Sequence, residues 1–171
     1  MAARTVCLFL LIAVCLGQQT PSHNSAPCQR SNNNNGYNRF LRHHIPPNSP
    51  ATRDRIVWER FIWRRRLCHR PIQSFLHPDD KNRVKAVCTA RGGKVYWRNL
   101  CISRRRFTFY TVRYRLGTCR VQHVKREEKH LILACDKLDN RCLPVHFERN
   151  RDNETPDNNA RGCGAPQHWA G

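Results

Sequence analysis

Two histidines far apart in the chain, His44 and His146, each lie in a short phrase of basic and apolar residues. The first phrase is residues 39–44 (Arg-Phe-Leu-Arg-His-His) and the second is residues 143–148 (Leu-Pro-Val-His-Phe-Glu). Histidine titrates near neutral pH, so one ring can act as a general base while a second, protonated ring acts as a general acid. RNA carries its own nucleophile, the 2′-hydroxyl, beside each phosphate. Two imidazoles on a cationic scaffold therefore have the chemistry needed to cleave RNA without a metal.

Three more phrases lie between these histidines: residues 68–75 (Cys-His-Arg-Pro-Ile-Gln-Ser-Phe), 84–88 (Val-Lys-Ala-Val-Cys) and 129–135 (Lys-His-Leu-Ile-Leu-Ala-Cys). In this order the five phrases resemble the pancreatic-type ribonucleases (the ribonuclease A superfamily), and a divergent, angiogenin-like member in particular. The resemblance runs from about Arg39 to Glu148. It implies a metal-independent endonuclease, with no cofactor, that binds single-stranded RNA and cleaves it 3′ of pyrimidines through a 2′,3′-cyclic phosphate.

The resemblance also implies catalytic roles, with His44 as the general base and His146 as the general acid. Arg70 falls near a family lysine that stabilises the charge gathered by the phosphoryl group. His69 is the alternative, because the phrase is one residue longer here. A planar guanidinium is not a point cation, and loss of one well-placed donor typically costs on the order of 10²–10³ in rate. This departure from the family pattern predicts weak turnover.

Several family positions that contact the substrate differ in residue type here. Arg39 falls where a basic residue contacts a neighbouring phosphate, and His43 replaces a glutamine that touches the reacting phosphate. Gln73 replaces an asparagine, and Ser74 replaces the threonine that recognises the pyrimidine base. A serine hydroxyl keeps both a donor and an acceptor for that purpose.

The two residues after the second histidine complete the resemblance. Phe147 keeps the aromatic ring that packs under the base, and Glu148 replaces an aspartate that orients the acidic histidine. The chain has nine histidines, so any one of them alone carries little weight. His77 matches a family histidine that is structural, and His130 is expected to point away from the chemistry.

The formal net charge is +19, which is extreme for a chain of 171 residues. Such a charge favours a polyanionic partner and exceeds what solubility requires. Two arginine clusters stand out for this role: Arg64, Arg65, Arg66, Arg104, Arg105 and Arg106. Besides RNA, they predict binding to heparin-like glycans or anionic membranes. The alternative function is therefore a catalytically impaired, cationic host-defence or angiogenin-like effector, expected to be a monomer.

The N-terminal segment has the features of a secretory signal. Residues 1–4 include an arginine, residues 6–16 are an apolar run too short to span a bilayer, and small residues follow. A buried N-terminal helix is the competing interpretation. We predict a signal peptide over residues 1–17, a flexible polar lead-in over 18–36, a ribonuclease A-like domain over 37–149 and a polar tail over 150–171. The tail is expected to be mobile unless Cys163 holds it.

Ten cysteines are present, and two of them, Cys7 and Cys15, belong to the predicted signal. Eight remaining cysteines in a small secreted chain indicate a disulfide framework. Zinc is the rival interpretation. The spacings Cys119-x3-His123 and Cys142-x3-His146 lack the paired Cys-x2-Cys of a closed site, and we expect no metal.

The family resemblance implies the bridges Cys88–Cys135 and Cys68–Cys119. A third family bridge, from the second helix to the central strand, has no counterpart here. Cys28, Cys101, Cys142 and Cys163 then allow three pairings. We prefer Cys101–Cys142 with Cys28–Cys163, which would clamp the two tails together and brace the strand of His146.

The periodicity of apolar residues predicts helices over 37–45, 53–66 and from 79 to about 91. Residues 68–77 are expected to be an extended connection. Beyond the glycines at 92 and 93, β-branched and aromatic residues predict strands over 94–102, 107–116, 119–125, 129–137 and 142–149. The result is an α+β fold of three N-terminal helices packed on a long, bent, disulfide-stapled antiparallel sheet.

Overall fold

The computed structural model describes residues 24–164, so the predicted signal peptide lies outside the described residues. The helices are α1 (Gly36–His44), α2 (Arg55–Arg65) and α3 (Lys81–Ala86), the last preceded by a 3-10 turn at Pro78–Asp80. The strands are β1 (Ile72–Leu76), β2 (Gly93–Trp97), β3 (Leu100–Tyr114), β4 (Val121–Leu138) and β5 (Arg141–Glu148). In this described part, no helix is both long and apolar enough to cross a membrane. The predicted α+β class is confirmed.

The strands form one antiparallel sheet in the order β1-β3-β4-β5, and β2 pairs with the N-terminal end of β3. Strand β4 is continuous over 18 residues, although the sequence predicted two shorter strands. The charged residues Glu127 and Glu128 lie in the gap between the two predicted strands. They remain in the ladder because β3 supplies partners for both, opposite Phe109 and Thr108. The β3–β4 register shifts between Ile102 and Arg106, so the second arginine cluster marks a local distortion of the sheet.

Helix α1 packs against β5 and carries the first histidine inward. Gly36, Phe40 and His44 are its buried residues, spaced four apart on one face. A Cβ at Gly36 would lie 2.9 Å from a Val145 side-chain carbon, so the glycine permits close approach of the helix to β5. This packing brings the C-terminal end of α1 beside the strand that holds His146.

Helix α2 begins and ends close to its predicted bounds. The Asp54 carboxylate accepts from the backbone N–H groups of Ile56 and Val57, and Arg66 ends the helix in a left-handed conformation with φ of 54°. Trp58 and Ile62 are buried against the sheet, in a core that includes Phe75, Val112 and Val124. A larger second core lies under α1 and α3.

Two predictions between the helices and the sheet were wrong in detail. The third helix ends at Ala86 and does not reach residue 91. The chain then turns so tightly that a Cβ at Gly92 or Gly93 would lie 2.1 Å from a helix-end carbonyl oxygen. The connection predicted over 68–77 contains β1, whose residues pair with β3.

The disulfides correct the preferred pairing of four cysteines. Cys68–Cys119 and Cys88–Cys135 form as the resemblance implied. The other two bridges are Cys28–Cys142 and Cys101–Cys163, not the preferred Cys101–Cys142 and Cys28–Cys163. The reason is the path of each terminus. The N-terminal segment runs beside β4 and the start of β5, whereas the C-terminal segment returns to β2.

The described part of the predicted flexible lead-in, residues 24–35, has a fixed path along β4. Cys28 donates from its backbone N–H to the carbonyl of Cys135 at 2.8 Å, and Gln29 accepts from Lys137 at 2.8 Å. The prediction of a loose segment is therefore wrong for these residues. The polar composition of residues 24–35 predicted flexibility because the segment has few apolar residues to bury. Contacts with β4 and a disulfide hold it in place instead.

The C-terminal segment is also held, through residue 164. The buried ammonium of Lys94 donates to the carbonyl oxygens of Asn158 and Ala160. Val95 donates to the carbonyl of Arg161 at 2.8 Å, and Cys163 bonds to Cys101. The sequence analysis expected a mobile tail unless Cys163 holds it, and Cys163 does form a disulfide.

The two unexpected bridges should contribute similarly to stability. Cys28–Cys142 and Cys101–Cys163 span 114 and 62 residues, and loop entropy grows only slowly with length. Replacing either pair with alanines should lower the free energy of unfolding by about 2–5 kcal/mol. Urea denaturation of the two double variants checks this. A pair whose removal leaves the midpoint unchanged would contradict it.

Candidate functional site

One cleft of about 260 Å³ brings together five of the predicted site residues. Arg39, His43 and His44 line it from α1, Arg70 from the segment before β1, and His146 from β5. The structure therefore places the two sequence-distant histidines at a common site.

His44 is held in a defined tautomer at the base of the cleft. Its Nδ1 lies 2.9 Å from the carbonyl oxygen of Ser74, and a carbonyl only accepts, so Nδ1 carries the hydrogen. In the neutral ring Nε2 then has a free lone pair. The rings of Phe40 and Phe147 each pack on His44 with centroids 5.2 Å away.

The surroundings of His44 keep its ring neutral. Burial lowers the pKa of His44 from 6.5 to about 3, and the positive charge of Arg70 and of His43 and His146 in their protonated forms acts in the same direction. The hydrogen bond to Ser74 opposes these effects without cancelling them. At pH 7 this imidazole is a proton acceptor.

His146 is placed differently, in half-exposed surroundings on β5. Its Nε2 lies 3.5 Å from the carboxylate of Glu148. Side chains two residues apart on a strand lie on the same face, which is why this carboxylate can reach the ring. The other carboxylate oxygen accepts from the backbone N–H of Arg149 at 3.0 Å, which further fixes its orientation.

Arg70, and not His69, lines the cleft where the family lysine was expected. The ring of His69 instead packs edge-on against His43, with centroids 5.2 Å apart. Burial, followed by the charges of Arg70 and His69, lowers the pKa of His43 to about 4. His43 is thus neutral at pH 7, like the glutamine that it replaces.

Gln73, a predicted substrate-binding residue, has its amide group bonded to other protein groups. Its side chain is buried, its amide nitrogen donates to the carbonyl of His43, and its amide oxygen accepts from the Tyr114 hydroxyl at 3.3 Å. Both ends of the amide are occupied by protein groups. Gln73 therefore ties the end of α1 to β1 and positions the neighbouring His44.

Ser74 and Phe147 border a second, smaller cavity of about 50 Å³, together with Thr111, Glu127 and Lys129. The Ser74 carbonyl holds His44, so one residue belongs to both the cleft and the cavity. Sequence reasoning missed the last three residues. Thr111, Glu127 and Lys129 lie in strands that carry many charged and hydroxyl side chains. Only the register between β3 and β4 shows which of these side chains face the cavity.

Among residues 24–164, no group of three or more His, Cys, Asp or Glu side chains is placed to hold a metal ion. What the cleft does provide is a neutral imidazole, a second imidazole paired with a carboxylate, and guanidinium groups. These are the parts required for proton transfer around a phosphodiester.

Comparison with known proteins shows which sequences and which fold the chain is similar to. No protein-family model matches the chain. The sequence is 29% identical to horse (Equus caballus) angiogenin over 154 residues, covering 86% of this chain and 97% of that protein. It is 28% identical to Chlorocebus aethiops angiogenin over 129 residues, 72% and 84% of the two chains.

The fold also matches a solved structure, green turtle egg white ribonuclease, with a TM-score of 0.53 and 26% identity, over 67% of this chain and 97% of that one. The helices and the antiparallel sheet define a ribonuclease A-like fold. Together, the similarities support an angiogenin-like member of the ribonuclease A superfamily.

The buried neutral state of His44 predicts acid-sensitive stability. Its folded pKa of about 3 lies below the unfolded value of 6.5, so only the unfolded chain gains a proton as pH falls between them. The stabilising contribution is complete above pH 6.5 and is lost towards pH 3, at up to about 1.4 kcal/mol per pH unit.

Replacing His44 with Gln should flatten this loss, because the amide can still donate to Ser74 but does not titrate. Urea unfolding at several pH values between 3.5 and 7.5 measures the slope. The matched control is His123→Gln, at an exposed position on β4. Equal slopes for His44→Gln and the unmodified protein would contradict the assignment.

Proposed function

We propose that the protein is a secreted endoribonuclease that cleaves single-stranded RNA 3′ of pyrimidines by transphosphorylation. The observation that carries this proposal is the single cleft shared by His44, His146 and Arg70. The similarity to that family supports it. The secretory signal predicted over residues 1–17 and the four disulfides fit an oxidising, extracellular location.

In the first step, His44 accepts the proton of the 2′-hydroxyl through Nε2. The hydroxyl oxygen then attacks the adjacent phosphorus and forms the cyclic phosphate. The Nδ1–H bond to the Ser74 carbonyl orients the ring and stabilises the imidazolium that forms. The low pKa of His44 makes it a weak base, which is one reason to expect modest turnover.

His146 supplies the proton to the departing 5′-oxygen. Glu148 holds the imidazole near the cleft mouth through the 3.5 Å contact. Because one ring must be neutral and the other protonated, the rate should show a bell-shaped pH dependence. Hydrolysis of the cyclic phosphate would reverse the two roles.

Arg70 stabilises the negative charge that develops on the phosphoryl oxygens. Its fork can donate two hydrogen bonds, but it replaces the compact ammonium of the family. Arg39 lines the same cleft and would contact a neighbouring phosphate, although its guanidinium also donates to Asn33 at 2.7 Å. His43, being neutral, would contribute a hydrogen bond and no charge.

The second cavity would hold the edge of the base 5′ to the cleaved bond. Ser74 presents a hydroxyl group there, and Phe147 offers a ring surface. A cavity of about 50 Å³ admits only part of a base, which favours a single-ring pyrimidine over a purine.

Substitution of the cleft residues tests the catalytic proposal. His44→Ala and His146→Ala should each lower kcat/KM on a pyrimidine-rich RNA by roughly 10²–10⁴, and Arg70→Ala by roughly 10²–10³. His123→Ala is the matched control and should have no effect. Full activity in both cleft histidine variants would eliminate this mechanism.

A second candidate function, binding to anionic membranes, rests on the outward side of α2. Ile56 and Trp63 are 62% and 69% exposed there, among the arginines of the first cluster. Large apolar side chains beside guanidinium groups suit a lipid interface, where rings enter the headgroup region and cations meet phosphates. A heparin-like glycan would use the charges of both clusters but not these apolar groups.

Vesicle binding separates this candidate from simple charge attraction. Ile56→Ser/Trp63→Ala should weaken sedimentation with phosphatidylglycerol vesicles by about tenfold or more, since roughly 1.5–3 kcal/mol accompanies burial of each large apolar side chain. Trp97→Ala, which removes an exposed ring at the end of β2, is the matched control. Unchanged binding by the α2 variant would rule out this docking face.

A further inference from the structure

A polar pocket of about 410 Å³ lies where the N-terminal lead-in segment meets the turn between β4 and β5, apart from the cleft. Arg30, Ser31 and Asn34 line it from the lead-in segment. Lys137, near the end of β4, and Asp139, in the turn, line its other side. The three lead-in residues precede the part of the chain that resembles the ribonucleases, so this lead-in pocket falls outside the family pattern of the sequence.

The cations of the lead-in pocket are available to an anionic ligand. Within residues 24–164, neither Arg30 nor Lys137 forms an ion pair with a carboxylate. Their backbones are fixed by a parallel bridge between these two residues and by the Ser31 N–H, which donates to the Lys137 carbonyl at 3.3 Å. The main chain therefore holds two cationic residues side by side. The carboxylate of Asp139 offsets part of their charge.

Hydrogen bonds connect the lead-in pocket to the cleft through Asn33. The Arg39 guanidinium, which lines the cleft, donates to the side-chain oxygen of Asn33 at 2.7 Å. The backbone N–H of Asn33 in turn donates to the hydroxyl oxygen of Ser31 at 3.2 Å. Ser31 lines the lead-in pocket. An RNA strand that leaves the cleft past Arg39 therefore reaches the pocket across a single residue.

Strand β4 gives the order of the three sites along the molecule. Lys129 lines the smaller cavity, and Lys137 lines the lead-in pocket. Between them, Ala134 pairs with His146 of the cleft. The smaller cavity is proposed for the base 5′ of the cleaved bond, so the lead-in pocket lies on the 3′ side.

The separation between cleft and pocket corresponds to a few nucleotides. The strand from Ala134 to Lys137 covers about 10 Å, because each residue of a strand advances about 3.3 Å. A stacked nucleic-acid strand advances about 3.4 Å per nucleotide. The lead-in pocket is therefore about three nucleotides from the reacting phosphate.

We infer that the lead-in pocket binds a backbone phosphate of the RNA about three nucleotides 3′ of the cleaved bond. The inference rests on the proposed function, because it extends the path of the same bound strand. Arg30 and Lys137 hold the phosphate by charge-assisted hydrogen bonds, and the Ser31 hydroxyl and the Asn34 amide can donate as well. Such a contact does not distinguish bases, so it favours longer RNA without a sequence preference.

Substrate length provides the test. The dinucleotide UpA ends before the lead-in pocket, whereas a single uridine followed by a 3′ tail of deoxyadenosines reaches it. Arg30→Ala/Lys137→Ala should lower kcat/KM on the 3′-tailed substrate by about fivefold or more at about 0.1 M salt, mainly through KM, since one phosphate contact on a single strand releases about 0.7 counterion. The same variant should cleave UpA, and a uridine with the tail on its 5′ side, at the rate of the unmodified protein.

Arg115→Ala/Arg120→Ala is the matched control. It removes two exposed arginines that flank the β3–β4 turn, at the opposite end of β4. The lost charge is the same, but screening confines the effect of distant surface charges to about 10 Å at 0.1 M salt. Cleavage of the 3′-tailed substrate should therefore stay within about twofold of the unmodified rate.

Asp139→Asn tests the pocket in the opposite direction. The substitution removes the carboxylate that opposes the phosphate, and asparagine tolerates the positive φ of 45° at this position. It should raise kcat/KM on the 3′-tailed substrate and leave UpA unchanged, which a loss of stability cannot do. Equal cleavage of the 3′-tailed substrate by Arg30→Ala/Lys137→Ala and the unmodified protein, or equal losses with 5′ and 3′ tails, overturns the inference while the proposed function stands.

Binding of an all-deoxy oligonucleotide of the same sequence tests the pocket without turnover. In fluorescence anisotropy, the slope of log Kd against log salt concentration should fall in Arg30→Ala/Lys137→Ala by about 0.7 or more. Such a change supports the inference even if no substrate is cleaved, in which case only the proposed catalysis fails. An unchanged slope overturns the inference, as does a double variant that loses affinity for a heparin oligosaccharide but not for the oligonucleotide.

Discussion

The site depends on one hydrogen bond, from Nδ1 of His44 to the carbonyl of Ser74. It joins the end of α1 to β1, selects the tautomer of the buried ring and leaves Nε2 directed at the cleft. Because the side chain of the same serine borders the smaller cavity, the backbone of one residue orients the proposed general base while its hydroxyl lines the proposed base-binding cavity. Gln73 strengthens this junction by bonding the carbonyl of His43. Phosphate and base positions are therefore coupled through two adjacent residues of one strand.

The positive charge of the cleft has two opposing effects. Cationic neighbours attract a phosphodiester and stabilise the charge that develops on it. The same neighbours act with burial to keep His44 neutral and reduce its basicity. Arg70, at the position expected for the family's lysine, contributes to both effects. It retains the positive charge, but in a broader, planar group. In the proposed function, the same charge would favour RNA binding and limit the rate of cleavage.

The sequence predicted those features that depend on local pattern. The phrases around His44 and His146, the bounds of α1 and α2 and two of the bridges followed from spacing, caps and family resemblance. Features set by distant partners were missed. Glu127 lies between two predicted strands, and only its pairing with β3 shows that it is part of the continuous strand β4 and bonded to Thr111. The bridges of Cys28 and Cys163 depend on the paths of two polar segments that carry no periodicity of their own.

Those two disulfide bridges also make the complete fold dependent on the redox environment. Cys28–Cys142 fastens the start of β5, and the segment that follows β5 is secured to Cys101 by Cys163. The strand of the proposed acid is thus anchored on both sides by bonds that require an oxidising environment. Glutathione or thioredoxin in a cytosol would remove both anchors, leaving the strand to its ladder with β4. A copy in the cytosol would therefore lose part of the support of β5, the strand that carries His146, on the side of the membrane where cellular RNA is abundant.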